Sequence, residues 1–155
     1  MERLEDVARR SDHAVREARA DLVRAVRHAA AEGQTQQQIA AAIGRSQPEV
    51  SRLLRFHGTT PLARRLRSTR SEVIRLVRAM GGSDVRVFGS LATGQDTPES
   101  DVDLLFHMGR PLSLLELEAL AQRVGALVGS EVDLLPDTAI RPDLRERVRA
   151  EAVPL

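Results

Sequence analysis

The chain has 155 residues, enough for one medium domain or two small ones with a hydrophobic core, and it is 42% hydrophobic and 29% charged. It contains no cysteine, which excludes disulfides, thiolate metal sites and cysteine nucleophiles. Its first ten residues carry charges where a secretory signal needs an apolar run, and no stretch is long enough to span a bilayer. We therefore expect a cytoplasmic protein that does not contact the membrane.

Charge divides the chain into two halves. All 23 basic residues are arginine, and residues 1–82 hold 16 of them against 9 acidic residues, whereas residues 83–155 hold 7 against 13. Such asymmetry indicates two roles, with a polyanion as the expected partner of the basic half. An arginine-rich, solvated helix face would explain the same charges.

The basic half is predicted to be helical. Apolar residues at steps of three and four predict an amphipathic helix over residues 12–32. Two short helices follow, the first capped by Thr35 and ending at Gly44, the second capped by Ser46 and ending by Gly58. A long helix followed by two short ones around a glycine-containing turn predicts a helix-turn-helix unit.

In the acidic half, the spacing of apolar residues changes from that of helices to that of short strands. Residues 59–70 are predicted to be a connection that passes into a helix ending at Gly81. Three short strands are then predicted at VRVFGS, VDLLFHM and EVDLLP, with an amphipathic helix between the last two and a final helix beginning near Pro142. This order predicts an α+β or α/β unit built on a small sheet.

Two aspartates stand in a segment that otherwise has the pattern of a buried strand. Asp101 and Asp103 lie two residues apart, so they project to the same side. Adjacent carboxylates repel each other, and a divalent cation such as magnesium reverses that penalty. Asp133 repeats the pattern of an acid followed by leucines and could complete a three-carboxylate cluster from an adjacent strand. Taken alone, Asp133 is better explained as a capping or solvated residue at a strand end.

Gly89 and Ser90 lie where the first predicted strand ends. A glycine there lets backbone N–H groups approach a ligand closely, and the serine adds a hydroxyl donor. A short helix beginning at Ser90 would favour a phosphate at its N-terminus. Together with the aspartates, this pair indicates a site for a metal-bound nucleoside triphosphate.

These residues carry a family resemblance. Gly89-Ser90, ten residues and then Asp101-Val102-Asp103 reproduce the GS-x10-DxD signature of the DNA polymerase β-like nucleotidyltransferases. The chain resembles their minimal branch, the MntA-like antitoxins, over about residues 70–155. The resemblance implies that Asp101, Asp103 and Asp133 are catalytic and hold two Mg²⁺ ions, and that Gly89 and Ser90 bind the triphosphate of ATP. It also implies metal-assisted displacement at the α-phosphorus, with Asp101 or Asp103 as a possible general base.

Two positions depart from the family pattern. Many relatives have GS-x-A-R-G, whereas this chain has GSLATG, with Thr93 at the basic position and Leu91 at one that is often polar. Without that arginine, nucleotide affinity is expected to be weaker unless Arg86 or Arg110 supplies the phosphate contact.

The basic half resembles the helix-turn-helix of bacterial DNA-binding regulators through TQQQIAAAIGRSQPEVSRLL. The second short helix would present base-reading and phosphate-binding side chains to the major groove. The predicted DNA-binding residues are Gln47, Glu49, Ser51, Arg52 and Arg55. A helical scaffold that rigidifies the enzyme or contacts a protein is the alternative.

The resemblance implies a helix-turn-helix domain over residues 1–60 and a minimal nucleotidyltransferase domain over residues 61–155, with a small mixed sheet flanked by helices. The predicted function is that of an antitoxin that transfers AMP to a tyrosine of a cognate HEPN ribonuclease toxin and binds its own promoter DNA, as a homo-oligomer or a complex with the toxin. A DNA-binding regulator with a weak transferase domain, acting as nucleotide sensor or partner-binding module, is the alternative. Modification of a small molecule such as an aminoglycoside is a third reading, for which few residues remain.

Overall fold

The computed structural model describes Met1 and residues 3–155, and this part of the chain forms helices around one small sheet. A short 3-10 turn, Asp137–Ala139, follows the third strand. The other elements are α1 (Leu4–Ala31), α2 (Gln36–Ile43), α3 (Gln47–Leu53), α4 (Pro61–Ser68), α5 (Arg70–Ala79), β1 (Gly82–Phe88), α6 (Gly89–Thr93), β2 (Val102–Met108), α7 (Leu114–Val128), β3 (Val132–Pro136), α8 (Arg145–Glu151) and β4 (Val153–Pro154).

The sheet is mixed, with the strand order β3-β2-β1-β4. Strand β1 is antiparallel to β2 and β4, whereas β2 and β3 are parallel. The three predicted strands and the α+β class are confirmed. Strand β4 was not predicted, because two residues are too short to show an alternating pattern.

The main core lies between the sheet and helices α4, α5 and α7. Alternation along β2 directs Val102, Leu104 and Phe106 into this core, while Leu105 packs with Ile140 and Ala152 on the other face. Asp103 lies on the same face of β2 as Leu105, because the two residues are two positions apart, and its side chain therefore lies away from the main core.

The prediction that residues 59–70 are a connection is wrong. Helix α4 occupies most of this segment, and Leu62, Ala63 and Leu66 are buried in the main core. Thr60 caps the helix by accepting a hydrogen bond from the backbone N–H of Ala63. The three apolar residues do have helical spacing, but the short segment is dominated by arginines that face solvent.

Two helix boundaries also differ from the prediction. Helix α1 begins at Leu4 rather than at residue 12, and its first half is exposed apart from Asp6, which is partly covered, so its sequence shows little amphipathic pattern. Helix α8 begins at Arg145, after a turn that contains Pro142. None of the described helices combines the length and apolar content needed to cross a bilayer.

Helices α2 and α3 follow the sequence closely. Both begin with a capping box, formed by Thr35 with Gln38 and by Ser46 with Glu49. Gly44 adopts a left-handed conformation (φ 65°) between them, as predicted for the turn. The small separate core under these helices contains Val26, Ile39, Ala40 and Val50. That this unit reads DNA stays a prediction.

A buried arginine of α1 joins these helices to the rest of the molecule. Arg27 is 5% exposed, and its guanidinium donates hydrogen bonds to the carbonyl oxygens of Leu53 (2.9 Å), Ala92 (2.5 Å) and Glu151 (3.0 Å). Burial lowers the pKa of Arg27 to about 10, and the charge of Glu151 partly offsets this. The predicted domain boundary after residue 60 is therefore bridged by a buried charged contact between α1, α3, α6 and α8.

We predict that Arg27→Ala lowers the free energy of unfolding by about 2–4 kcal/mol, because the carbonyl oxygens of Leu53, Ala92 and Glu151, and the more distant one of Arg55, lose a charged donor. Urea unfolding followed by circular dichroism measures the change. Arg19→Ala is the matched control, since Arg19 is an exposed arginine of the same helix and its loss should cost no more than about 0.5 kcal/mol. Equal effects of the two substitutions would contradict the assignment.

Candidate active site

The predicted aspartates lie at one edge of the sheet. Asp103 pairs with Phe88 at the end of β1 and with Asp133 on the parallel strand β3. Asp101 immediately precedes β2, two residues before Asp103. The antiparallel pairing of β1 with β2 thus brings the end of β1 beside Asp103, and the parallel register of β3 brings Asp133 beside it from about thirty positions further along the chain.

Gly89 packs directly against Asp103. It has a left-handed backbone (φ 71°), and a Cβ atom added there would overlap the Asp103 carboxylate. Only glycine permits both the conformation and the close approach. The structure therefore brings Gly89 of the Gly-Ser pair into direct contact with Asp103, the second aspartate of the signature.

The three carboxylates influence one another through space. Asp103 is half-buried, whereas Asp101 and Asp133 are exposed. Burial raises the pKa of Asp103 to about 6, and the negative charges of Asp133 and Asp101 add to the rise. A carboxylate perturbed by burial and by two like charges is typical of a functional site.

The donor set is suited to a hard cation, because it consists of carboxylate oxygens at the exposed edge of a sheet. Among the residues that the structure describes, however, no three His, Cys, Asp or Glu side chains are arranged closely enough to hold a metal ion. The three aspartates share an electrostatic environment rather than a formed coordination shell. A metal site at Asp101, Asp103 and Asp133 stays a prediction.

Helix α6 explains the two departures from the family pattern. It begins at Gly89, one residue before the predicted start. Leu91 is 2% exposed and packs in the main core. Thr93 is buried, and its hydroxyl donates to the carbonyl oxygens of Gly89 (3.2 Å) and Ser90 (3.4 Å). Both side chains therefore stabilise the Gly-Ser segment from its buried side, while Ser90 itself is partly exposed.

Neither arginine suggested as a substitute is directed toward Ser90. Arg86 pairs with Asp84 at 3.1 Å, further back along β1. Arg110 pairs with Glu116 at 3.3 Å, beyond the opposite end of β2 from Asp103.

Arginines of α1 approach α6 instead. Arg27 contacts the carbonyl oxygen of Ala92, and the Arg24 guanidinium lies 3.4 Å from Gln95 Oε1, which also contacts Thr93. The sequence offered no signal for these contacts, because they join residues more than sixty positions apart.

The predicted DNA-binding residues lie on or just after α3. Gln47, Arg52 and Arg55 are exposed, and Ser51 is partly exposed. The Glu49 carboxylate instead accepts hydrogen bonds from the backbone N–H and the hydroxyl of Ser46, which lowers its pKa. Glu49 thus caps its own helix in this structure.

Comparison with known families now adds independent evidence. A family described as "Nucleotidyltransferase domain" matches residues 66–155, which is more than half of the chain. The chain belongs to this nucleotidyltransferase family. The family match does not include residues 1–65.

Individual relatives place the chain in the minimal branch that the sequence predicted. It is 34% identical over 82 residues to a protein of Methanocaldococcus jannaschii named as a candidate protein adenylyltransferase, covering 53% of this chain and 88% of that one. It is 33% identical over 73 residues to the protein adenylyltransferase MntA of Thermococcus cleftensis, covering 47% and 74%. A solved structure described as a minimal nucleotidyltransferase shares 36% identity with a TM-score of 0.55, covering 64% of this chain and all of that one. The resemblance to the MntA-like minimal nucleotidyltransferases is confirmed.

We predict that Asp103→Asn stabilises the protein at neutral pH, because it removes a partly buried negative charge that Asp133 and Asp101 repel. The gain should be on the order of 1 kcal/mol, since solvent screens a half-buried carboxylate. The native pKa of Asp103 is raised from 3.8 to about 6, so its contribution to stability is complete below pH 3.8 and lost as the pH rises through 6. Urea unfolding in EDTA-containing buffer across this window measures the effect, and the variant should have the flatter profile. Glu118→Gln is the control, since Glu118 is an exposed carboxylate of α7 whose charge is not among those that raise the pKa of Asp103. An identical pH profile for Asp103→Asn and the original chain would refute the prediction.

We predict that Gly89→Ala lowers transferase activity by about a hundredfold, because the new methyl group must displace the Asp103 carboxylate. Gly94→Ala is the matched control at the other end of α6. Gly94 also has a left-handed backbone (φ 78°), but nothing lies within 4 Å of an added Cβ, so only the conformational cost of roughly 1–2 kcal/mol applies. Steady-state transfer rates of the two folded variants measure the difference, and equal losses would show that backbone strain alone is responsible.

Proposed function

We propose that this protein is an antitoxin that transfers AMP from ATP to a tyrosine of a cognate HEPN ribonuclease toxin. The contact between Gly89 and Asp103 supports the proposal most directly, because it puts the predicted triphosphate-binding segment beside the predicted metal-binding carboxylates. Two relatives agree with a protein as the acceptor, since one is named a protein adenylyltransferase and the other a candidate protein adenylyltransferase.

The chemistry assigned to the site is displacement at the α-phosphorus of ATP. The acceptor oxygen forms the new P–O bond, the bond between the α-phosphorus and the bridging oxygen breaks, and pyrophosphate leaves. Ser90 and the backbone of Gly89 would bind the triphosphate, and Asp101, Asp103 and Asp133 would hold magnesium. Magnesium, when bound, would neutralise phosphate charge and lower the pKa of the attacking hydroxyl.

The proton of the acceptor has a suitable destination in this site. Asp103, with a pKa of about 6, is mostly deprotonated at neutral pH and can accept a proton from a hydroxyl held beside it. Burial and the two neighbouring carboxylates raise its affinity for a proton in the metal-free protein, and bound magnesium would lower that affinity.

The acceptor tyrosine must belong to another molecule, because this chain contains no tyrosine. A HEPN ribonuclease as that molecule rests on the resemblance to the MntA-like antitoxins. We further propose that residues 1–60 form a DNA-binding domain through which the protein represses its own promoter. The exposed side chains on α3 support that role. Most of the arginine excess lies directly after this region, because residues 61–82 hold 6 arginines against 1 acidic residue, whereas residues 1–60 hold 10 against 8.

Incubation with α-labelled ATP, magnesium and the product of the neighbouring toxin gene tests the proposal. Label should appear on the toxin, and Asp101→Asn and Asp103→Asn should each reduce the rate at least a hundredfold. Asp84→Asn is the control, since Asp84 is an exposed carboxylate further back along β1 from the site and is expected to leave the rate unchanged. Asparagine also tolerates the positive φ of residue 84.

Two results would contradict the proposed activity. Transfer that persists in both aspartate variants would place the chemistry elsewhere. Tight promoter binding without transfer to any toxin would favour the second candidate, a transcriptional regulator whose transferase domain senses nucleotide or binds a partner. The observation that favours this candidate is Thr93, which stands where many relatives have an arginine and is buried in α6.

A further inference from the structure

A groove of about 880 Å³ lies at the junction of the two halves of the chain. It is bounded by the residues that follow α3, by α4 with the start of α5, and by the final residues of the chain. Four arginines line it, namely Arg55, Arg64, Arg67 and Arg70. We call this feature the arginine groove. Its arginines are exposed, and no Asp or Glu side chain of the described residues lines it.

No acidic partner among the described residues neutralises the positive charge of the arginine groove. The ion pairs found among the described residues involve none of the four arginines. Arg67 donates one hydrogen bond, to the carbonyl oxygen of Gly58 at 3.3 Å. Four exposed guanidinium groups around one concave surface create a positive potential that attracts a polyanion.

The four arginines form an extended row rather than a single phosphate pocket. Arg64 and Arg67 lie one turn apart on α4, and Arg70 begins α5 directly after it. Arg55 extends the series toward α3, because its backbone N–H donates to the carbonyl oxygen of Arg52 on that helix. The row of arginines therefore begins next to α3, the helix proposed to bind DNA.

We infer that the arginine groove is a second phosphate-contact surface, so that duplex DNA bound at α3 continues along α4 of the nucleotidyltransferase domain. The inference rests on the proposed DNA binding of residues 1–60 and extends it beyond them. Duplex DNA is favoured over other polyanions because the groove is continuous with α3 and because arginines suit phosphate contacts. Phosphate contacts of this kind add affinity without reading sequence.

The same surface would couple DNA binding to the position of the transferase. Helix α4 packs into the main core through Leu62, Ala63 and Leu66, so DNA held on its arginines also holds the sheet that carries Asp103. Bound DNA would contact both halves of the chain at once.

The matched pair of variants is R64Q/R70Q in the groove and R75Q/R78Q outside it. Each removes two exposed arginines, and none of the four guanidinium groups forms an ion pair or a hydrogen bond found among the described residues. The probe is a random-sequence duplex of about thirty base pairs, whose binding depends mainly on phosphate contacts. Fluorescence anisotropy across a salt series measures affinity, and circular dichroism verifies folding.

We expect R64Q/R70Q to weaken duplex binding roughly tenfold and to reduce the slope of log K against log salt by up to about 1.8, or 0.9 for each lost contact. R75Q/R78Q should change affinity by less than about twofold. Both variants should retain transfer to the toxin, since neither touches the active site.

Each other outcome overturns the inference and identifies the reason. Equal slopes of log K against log salt for the two variants would show that the arginine groove does not contact DNA, without contradicting DNA binding by α3. A chain that transfers AMP but binds no duplex would refute DNA binding as a whole while leaving the enzymatic proposal standing. Loss of single-stranded RNA binding or of toxin binding in R64Q/R70Q, with duplex binding unchanged, would assign the groove to that partner instead.

Discussion

The close contact between the Gly89 backbone and the Asp103 carboxylate is the constraint around which the active site is arranged. It requires a left-handed glycine at the end of β1 and an aspartate opposite Phe88 on β2. Parallel pairing of β3 then brings Asp133 beside Asp103. A carboxylate held among like charges and partly removed from water is destabilising, and catalytic sites accept that cost when the charges serve a ligand.

The helix that follows Gly89 joins this site to the rest of the molecule. Leu91 anchors it in the main core, Thr93 satisfies carbonyl oxygens at its start, and Ala92 accepts a hydrogen bond from the buried guanidinium of Arg27. Because Arg27 also bonds to Leu53, at the end of α3, the Gly-Ser segment and the proposed reading helix share one charged, buried contact. A shift in either element disturbs the same group.

Acidic and basic side chains are concentrated in different parts of the molecule. Acidic side chains gather at the sheet edge, where they repel one another, and unpaired arginines gather along α3 and α4. Each cluster costs stability in isolation, and an oppositely charged ligand would relieve that cost. The ligands proposed above are a cation with a nucleotide for the acidic cluster and nucleic acid for the arginines. The nearly balanced net charge of +1 conceals this division.

The sequence alone determined the elements whose cause is local. The capping boxes of Thr35 and Ser46, the alternation along β2 and the spacing of Gly89-Ser90 from Asp101 and Asp103 are all read from neighbouring residues. Tertiary structure decided what depends on distant partners. The apolar residues of α4 became visible as core only where the sheet covers them, and β4 exists only because β1 offers a free edge. The burial of Arg27 depends on carbonyl oxygens of Leu53, Ala92 and Glu151, which belong to separate segments. The residues adjacent to Arg27 in sequence therefore could not predict it.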